Sequence, residues 1–233
     1  IWTVMQNVWA GVGDLVVTST REQVYRVYRE LLALSFYVQI IIAFGLLVLA
    51  QDFIALWLGE EYVLAPTILY LLVACLTLGA FTNTNTCFLA AYRLFNDAWI
   101  SIVEACLTVG LGILFAFKFG VFGVVGGMLA GIFLLFLWKP YYLYRKVFPF
   151  PLISYFLIVG KMFFFSIIIY LGVNQWIVSP LKDWLNVSNL GEWFVWALGS
   201  TSVYAVVLGI FLYIFDTGFS TFVKRFISIR RKV

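Results

Sequence analysis

Long uncharged blocks alternate with short charged ones along this chain. Leu31–Gln51 holds no charged residue and neither does Val63–Tyr92; between them lies Phe53–Tyr62, FIALWLGEEY. An apolar run of about 20 residues crosses the roughly 30 Å hydrocarbon layer as a helix, because only a helix satisfies its own backbone hydrogen bonds there. FIALWLGEEY therefore marks a membrane exit. Trp57 and Tyr62 suit headgroup depth, and Glu60 and Glu61 belong in water. The same pattern predicts spans near residues 1–17, 31–57, 64–92, 98–117, 119–142, 152–178 and 193–215, giving an all-α polytopic transmembrane bundle of about seven helices.

Shorter patterns add detail. Ser19 and Glu22 have capping-box spacing, and Val24, Val27, Tyr28 and Leu31 recur at helical intervals among Arg21, Arg26 and Arg29. This predicts a short interfacial helix from about Thr20. Gly123, Gly127 and Gly131 fall on every fourth residue, a smooth stripe for close helix contact, and Lys118 with Gly120 marks a tight hairpin between spans four and five. Residues 217–233 alternate Phe219, Phe222, Val223, Phe226 and Ile227 with Lys224, Arg225, Arg230, Arg231 and Lys232, the pattern of a basic amphipathic helix lying on anionic lipid.

Composition agrees with the pattern. Hydrophobic residues make up 64% and charged residues 11%, against roughly 25% charged in a soluble domain, and the mean hydropathy is +1.03. Seven alternating crossings place all fifteen Lys and Arg on one side except Lys118, Lys182 and the unassigned Lys161. That bias makes the basic side cytoplasmic, the tail included, and the GEEY exit extracytoplasmic. The chain opens on Ile1 inside an apolar run, without a start Met, a basic leader or a cleavage site, so it reads as the C-terminal part of a longer protein.

Chemistry is limited by what is missing. Cys75, Cys87 and Cys106 lie in apolar segments without pairing or metal spacing, and the absence of His removes the commonest metal ligand and general base. No phosphate-cradling glycine loop and no nucleophile motif appears, which argues against an ATPase or hydrolase. No enzyme activity, cofactor, metal or nucleic-acid partner is expected.

FIALWLGEEY, the TNTNT stretch (82–86) with its following FLAAYR, and the FKFGVFGVVGG hairpin together resemble the polysaccharide-transporter family of the MOP flippase superfamily, which includes O-antigen and capsule repeat-unit flippases. The upstream AGVGDLVVTSTREQVYRVYREL is similar to that family's eighth helix and following connector. The resemblance covers helices eight to fourteen, a MATE-like C-terminal lobe, with the N-terminal lobe of the same protein as the missing partner. It implies a lipid-linked oligosaccharide moved from the cytoplasmic to the periplasmic leaflet of a bacterial inner membrane by alternating access. Other classes are a drug or toxin exporter of the same superfamily, a membrane-embedded polysaccharide polymerase or acyltransferase, and a non-transporting partner subunit. Short loops and the absence of His weigh against the enzyme.

Candidate pathway residues are the polar ones inside spans. Glu104 lies about two turns into its span, at roughly 10 Å depth, where an ionised carboxylate costs about 2.5–3.5 kcal/mol. It is either a protonatable coupling group or a carboxylate that pairs with Arg93 or caps a neighbouring helix. Thr82–Thr86 cannot all face one cavity, since successive helical residues point about 100° apart; Asn83 or Asn85 lines a substrate path, or both bond between helices. Arg93 and Lys161 either bind a lipid diphosphate or snorkel to headgroups. Asp14 and Gln39 complete the set, Gln39 with an expected partner on a neighbouring helix.

Overall fold

The computed structural model describes residues 11–185 and 189–230; the first predicted span falls mostly outside them, and of it residues 11–18 are helical (α1). Thr20 then caps α2, Arg21–Trp57, accepting a hydrogen bond from the Gln23 backbone N–H while the Gln23 side chain returns to Thr20. The capping box thus sits one residue later than the Ser19–Glu22 pair. No Gly or Pro lies between Arg21 and Leu31, so the expected interfacial helix and the second span form one helix of 37 residues. At about 1.5 Å per residue it is about 55 Å long, well beyond the roughly 30 Å needed to cross the hydrocarbon layer.

The membrane exit follows from two residues. Gly59 adopts φ +112°, a region an L side chain avoids, and reverses the chain into a 3₁₀ turn at Glu60–Tyr62. Pro66 occupies the first turn of α3, Pro66–Ala91, where its missing N–H costs nothing. Trp57, Glu60, Glu61 and Tyr62 are all exposed at this end. A 3₁₀ turn at Phe95–Asp97 leads into α4, Ala98–Phe119, and Gly120 at φ +58° turns the chain into α5, Val121–Lys146. α6, Leu152–Val173, continues through a π-helical turn at Asn174–Val178 into α7, Ser179–Leu185, longer than the span expected to end at 178. The indole N–H of Trp196 donates to the Val178 carbonyl in that turn, and Lys182 pairs with Asp52 at 2.6 Å. α8, Leu190–Phe215, and α9, Thr217–Arg230, complete the chain.

α2 is the axis of the bundle, packed against α3, α6, α8 and α9, while α5 lies between α3 and α4. The core along α2 is aromatic: Tyr28 meets Phe88 edge-on, Phe36 tilts against Phe81, and Phe44 stacks on Tyr204 with centroids 4.0 Å apart. Outward-facing side chains are apolar as well, among them Ile102, Leu114, Phe133, Leu157, Leu198 and Ile210. Among the described residues six helices are long and apolar enough to cross a membrane.

α4 and α5 meet along the predicted glycine stripe. A Cβ on Gly123 would overlap the Phe115 carbonyl, one on Gly127 the Gly112 backbone nitrogen, and one on Gly131 the Thr108 hydroxyl. Small residues let the two backbones approach closely enough for dispersion contacts, which in lipid replace the hydrophobic driving force. Gly126, on the other side of α5, has open space around it. Gly127→Ala is expected to lower stability by about 1–3 kcal/mol by forcing the hairpin apart, whereas Gly126→Ala leaves it unchanged or slightly raised. Thermal unfolding of the detergent-solubilised variants measures the difference.

Candidate functional site

TNTNT is split by the helix into a buried side and an open one. Asn85 is fully buried: its Oδ1 accepts from the Tyr28 hydroxyl at 2.7 Å, and its Nδ2 donates to the Phe81 carbonyl at 2.9 Å and to the Tyr155 hydroxyl at 3.3 Å. One amide thereby joins α2, α3 and α6, and it lines neither of the two pockets described below. Thr84 bonds the Ser35 hydroxyl on α2 at 3.1 Å, and Thr82 and Thr86 return to backbone carbonyls of their own helix. Asn83 alone of the five is exposed, without a side-chain hydrogen bond among the described residues.

The other candidates occupy separate places. Gln39, half-buried in α2, has no hydrogen-bond partner among the described residues, against the expectation of one on a neighbouring helix. Ser35, one turn earlier, takes the available partner on α3. Glu104 is half-buried in the α4–α5 crossing, where its Oε1 accepts from Thr108 one turn on at 3.1 Å beside Gly131. Among the described residues it forms no ion pair with Arg93; helical spacing brings the Thr108 hydroxyl to the carboxylate instead. Arg93 is exposed with φ +54°. Its N–H bonds Ala90 O and that of Leu94 bonds Leu89 O, the paired bonds of a Schellman end in which glycine is usual. Lys161, also exposed, donates to the Phe215 carbonyl and so covers the C-terminus of α8, where a cation complements the helix dipole. Asp14 is exposed on α1.

Besides Lys182–Asp52, three charged pairs escaped the sequence reading. Lys139 and Asp97 form a buried ion pair at 2.9 Å that locks the α3–α4 connection to α5. Arg29 pairs with Asp216 at 3.3 Å and Glu30 with Arg225 at 3.1 Å, holding α9 against the start of α2. Their partners are 42, 187 and 195 residues apart in sequence, so no local spacing announces them; a carboxylate at a helix start, as at Asp97 and Asp216, is the one available hint.

A half-open groove of about 360 Å³ lies between α3 and α6 with α2 and α8 as its floor. Phe44, Tyr70, Phe163, Tyr170 and Tyr204 contribute to its lining, which contains no charged side chain. Among the described residues no group of His, Cys, Asp and Glu is placed to hold a metal ion.

Comparison with known proteins returned no matching family model, no matching curated protein and no matching solved structure. The class of the protein follows from its own architecture. It is an α-helical, multi-pass membrane protein whose bundle presents mostly apolar side chains outward and buries Asn85, Thr84, Asp97 and Lys139 at helix contacts.

Asn85→Leu strands the Tyr28 hydroxyl without an acceptor in a water-free core and is expected to cost about 1–3 kcal/mol. Asn83→Leu, at an exposed position, is expected to stay within about 0.5 kcal/mol of the parent. Paired melting curves in one detergent check both values.

Proposed function

We propose that this chain is the C-terminal lobe of a transporter that moves undecaprenyl-diphosphate-linked oligosaccharides across the bacterial inner membrane by alternating access, with its C-terminus in the cytoplasm. The observation that carries this reading is the ordered set of FIALWLGEEY, TNTNT with FLAAYR, and FKFGVFGVVGG, which resembles the polysaccharide-transporter family. In the fold the three stretches form the exit turn, a polar segment of a spanning helix and a glycine-packed hairpin.

Several features support a transport role. Asn83 and Gln39 carry amides open to the outside of the lobe within spans, a placement that lipid disfavours and that suits a polar path or an opposing lobe. A second lobe rocking against this one would complete such a path between them. Arg93 is exposed and its guanidinium makes no hydrogen bond among the described residues, which suits a diphosphate, whereas Lys161 is already engaged with the Phe215 carbonyl. The apolar groove beside Phe44 and Tyr204 is chemically suited to an isoprenoid chain. Basic, exposed Lys224 and Arg225 suit contact with anionic lipid. Glu104, in the α4–α5 crossing away from α2, serves the hairpin in this reading more than ion coupling.

A drug or toxin exporter is the second reading. The aromatic groove without a basic residue favours it, although that groove also lacks the acids such a cavity would use.

Complementation tests the first reading. A flippase-deficient bacterium with a matched glycan regains surface polysaccharide when it carries the full-length gene, and correct expression without restored polysaccharide counts against the proposal. A separate measurement probes the path: Asn83→Cys in the full-length protein reacts with a membrane-impermeant maleimide and Asn85→Cys does not. An unreactive Asn83→Cys removes it from the path.

A further inference from the structure

The membrane end at which α2 begins and α8 ends holds a pocket of about 380 Å³, within the size range of small-molecule sites. It lies between the first turns of α2 and the start of α9, with Phe150 from the α5–α6 connection closing one side. α2 projects beyond the hydrocarbon layer here and α9 follows directly on the last span, so the pocket stands at headgroup depth. Gly218 makes this approach possible: a Cβ there would press on the Arg29 carbonyl.

The lining charges balance, Glu22 and Glu30 against Arg26 and Arg29. Arg29 is committed to Asp216, while Arg26 is exposed and forms no ion pair or hydrogen bond among the described residues. Glu30 is 2% exposed; its Oε2 pairs with Arg225, and its Oε1 is buried without a partner. Such an orphaned acceptor calls for a donor. Glu30 lines the pocket, so its carboxylate is the acceptor that a donor bound there would meet. Tyr25 and Phe150, stacked with centroids 4.1 Å apart, add an aromatic wall.

We propose that this pocket binds the phosphoethanolamine zwitterion as the headgroup of a phosphatidylethanolamine lipid. The phosphate lies on Arg26, and the primary ammonium donates to Glu30 Oε1. A net-neutral, dipolar lining matches a ligand that is itself neutral and dipolar: an anionic headgroup would meet Glu22 and Glu30, and a simple cation would meet both arginines. A choline headgroup carries the same charges but has no N–H to offer the buried acceptor. The site does not depend on the transport reading, because every group in it belongs to this chain.

Competition among phosphatidylethanolamine, phosphatidylcholine and phosphatidylglycerol for the full chain in detergent, read by native mass spectrometry, tests the proposal. The parent protein is expected to retain phosphatidylethanolamine about tenfold over each of the others, and Arg26→Gln and Thr221→Phe, the latter filling the pocket, to reduce the preference below about threefold. Both positions are surface or rim sites whose folding is checked by circular dichroism. Glu30→Leu, which removes the acceptor, is a third variant, expected to lose the discrimination against phosphatidylcholine. Equal retention of the three lipids overturns the proposal, as does an unchanged preference in both Arg26→Gln and Thr221→Phe. Displacement of the lipid by an equal concentration of O-phosphoethanolamine keeps the zwitterion site and overturns its assignment to a lipid.

Discussion

Asn85 needs several hydrogen-bond partners in a place that water does not reach, and meeting that need constrains where three helices stand. Its carbonyl and amide draw in the Tyr28 hydroxyl from α2 and the Tyr155 hydroxyl from α6, and its own helix supplies the Phe81 carbonyl. Apolar helices slide past one another at little cost in lipid, because hydrocarbon is as good a neighbour as leucine. A directional bond at a single depth removes that freedom. Around it the aromatic core, from Phe88 and Tyr144 to Phe36 and Phe81, packs in a register the amide helps to define.

Elsewhere the bundle uses contacts of a different kind. α4 and α5 are held by close backbone approach at Gly112, Gly123 and Gly127, which needs no polar group at all. Ion pairs then join elements near the helix ends. Lys139–Asp97 is buried, and breaking such a pair leaves one uncompensated charge at a cost of about 3–5 kcal/mol. Lys182–Asp52 at the exit end is half-exposed and contributes far less. Arg29–Asp216 and Glu30–Arg225 hold α9 against the first turns of α2.

The polar side chains therefore divide into those that assemble the lobe and those it leaves open. Asn85, Thr84, Lys139 and Lys161 are occupied by contacts within the chain. Asn83, Gln39, Arg93 and Arg26 form no side-chain hydrogen bond among the described residues and are exposed or half-buried. Residues of the second kind are where a substrate, a lipid or another lobe has chemistry to engage, and neighbouring positions such as 83 and 85 fall in different groups through helix geometry alone.

The sequence by itself determined the membrane class, the approximate limits of the later spans, the exit at FIALWLGEEY, the Gly120 hairpin and the glycine stripe. Each is encoded locally, in the length of an apolar run, a φ that glycine tolerates, or a repeat of four. It also showed which polar residues lie inside spans. Only the tertiary structure decided what those residues do: that Asn85 is enclosed and Asn83 is not, that Glu104 turns to Thr108, that Arg93 takes a left-handed helix end and Lys161 covers α8. It alone merged the interfacial helix with the second span and brought Glu30 to Arg225 and Asp97 to Lys139. The reason is physical. A spanning helix is specified by its own backbone and its solvent, whereas a hydrogen bond or ion pair between helices depends on rotations and depths that are settled when the bundle packs as a whole.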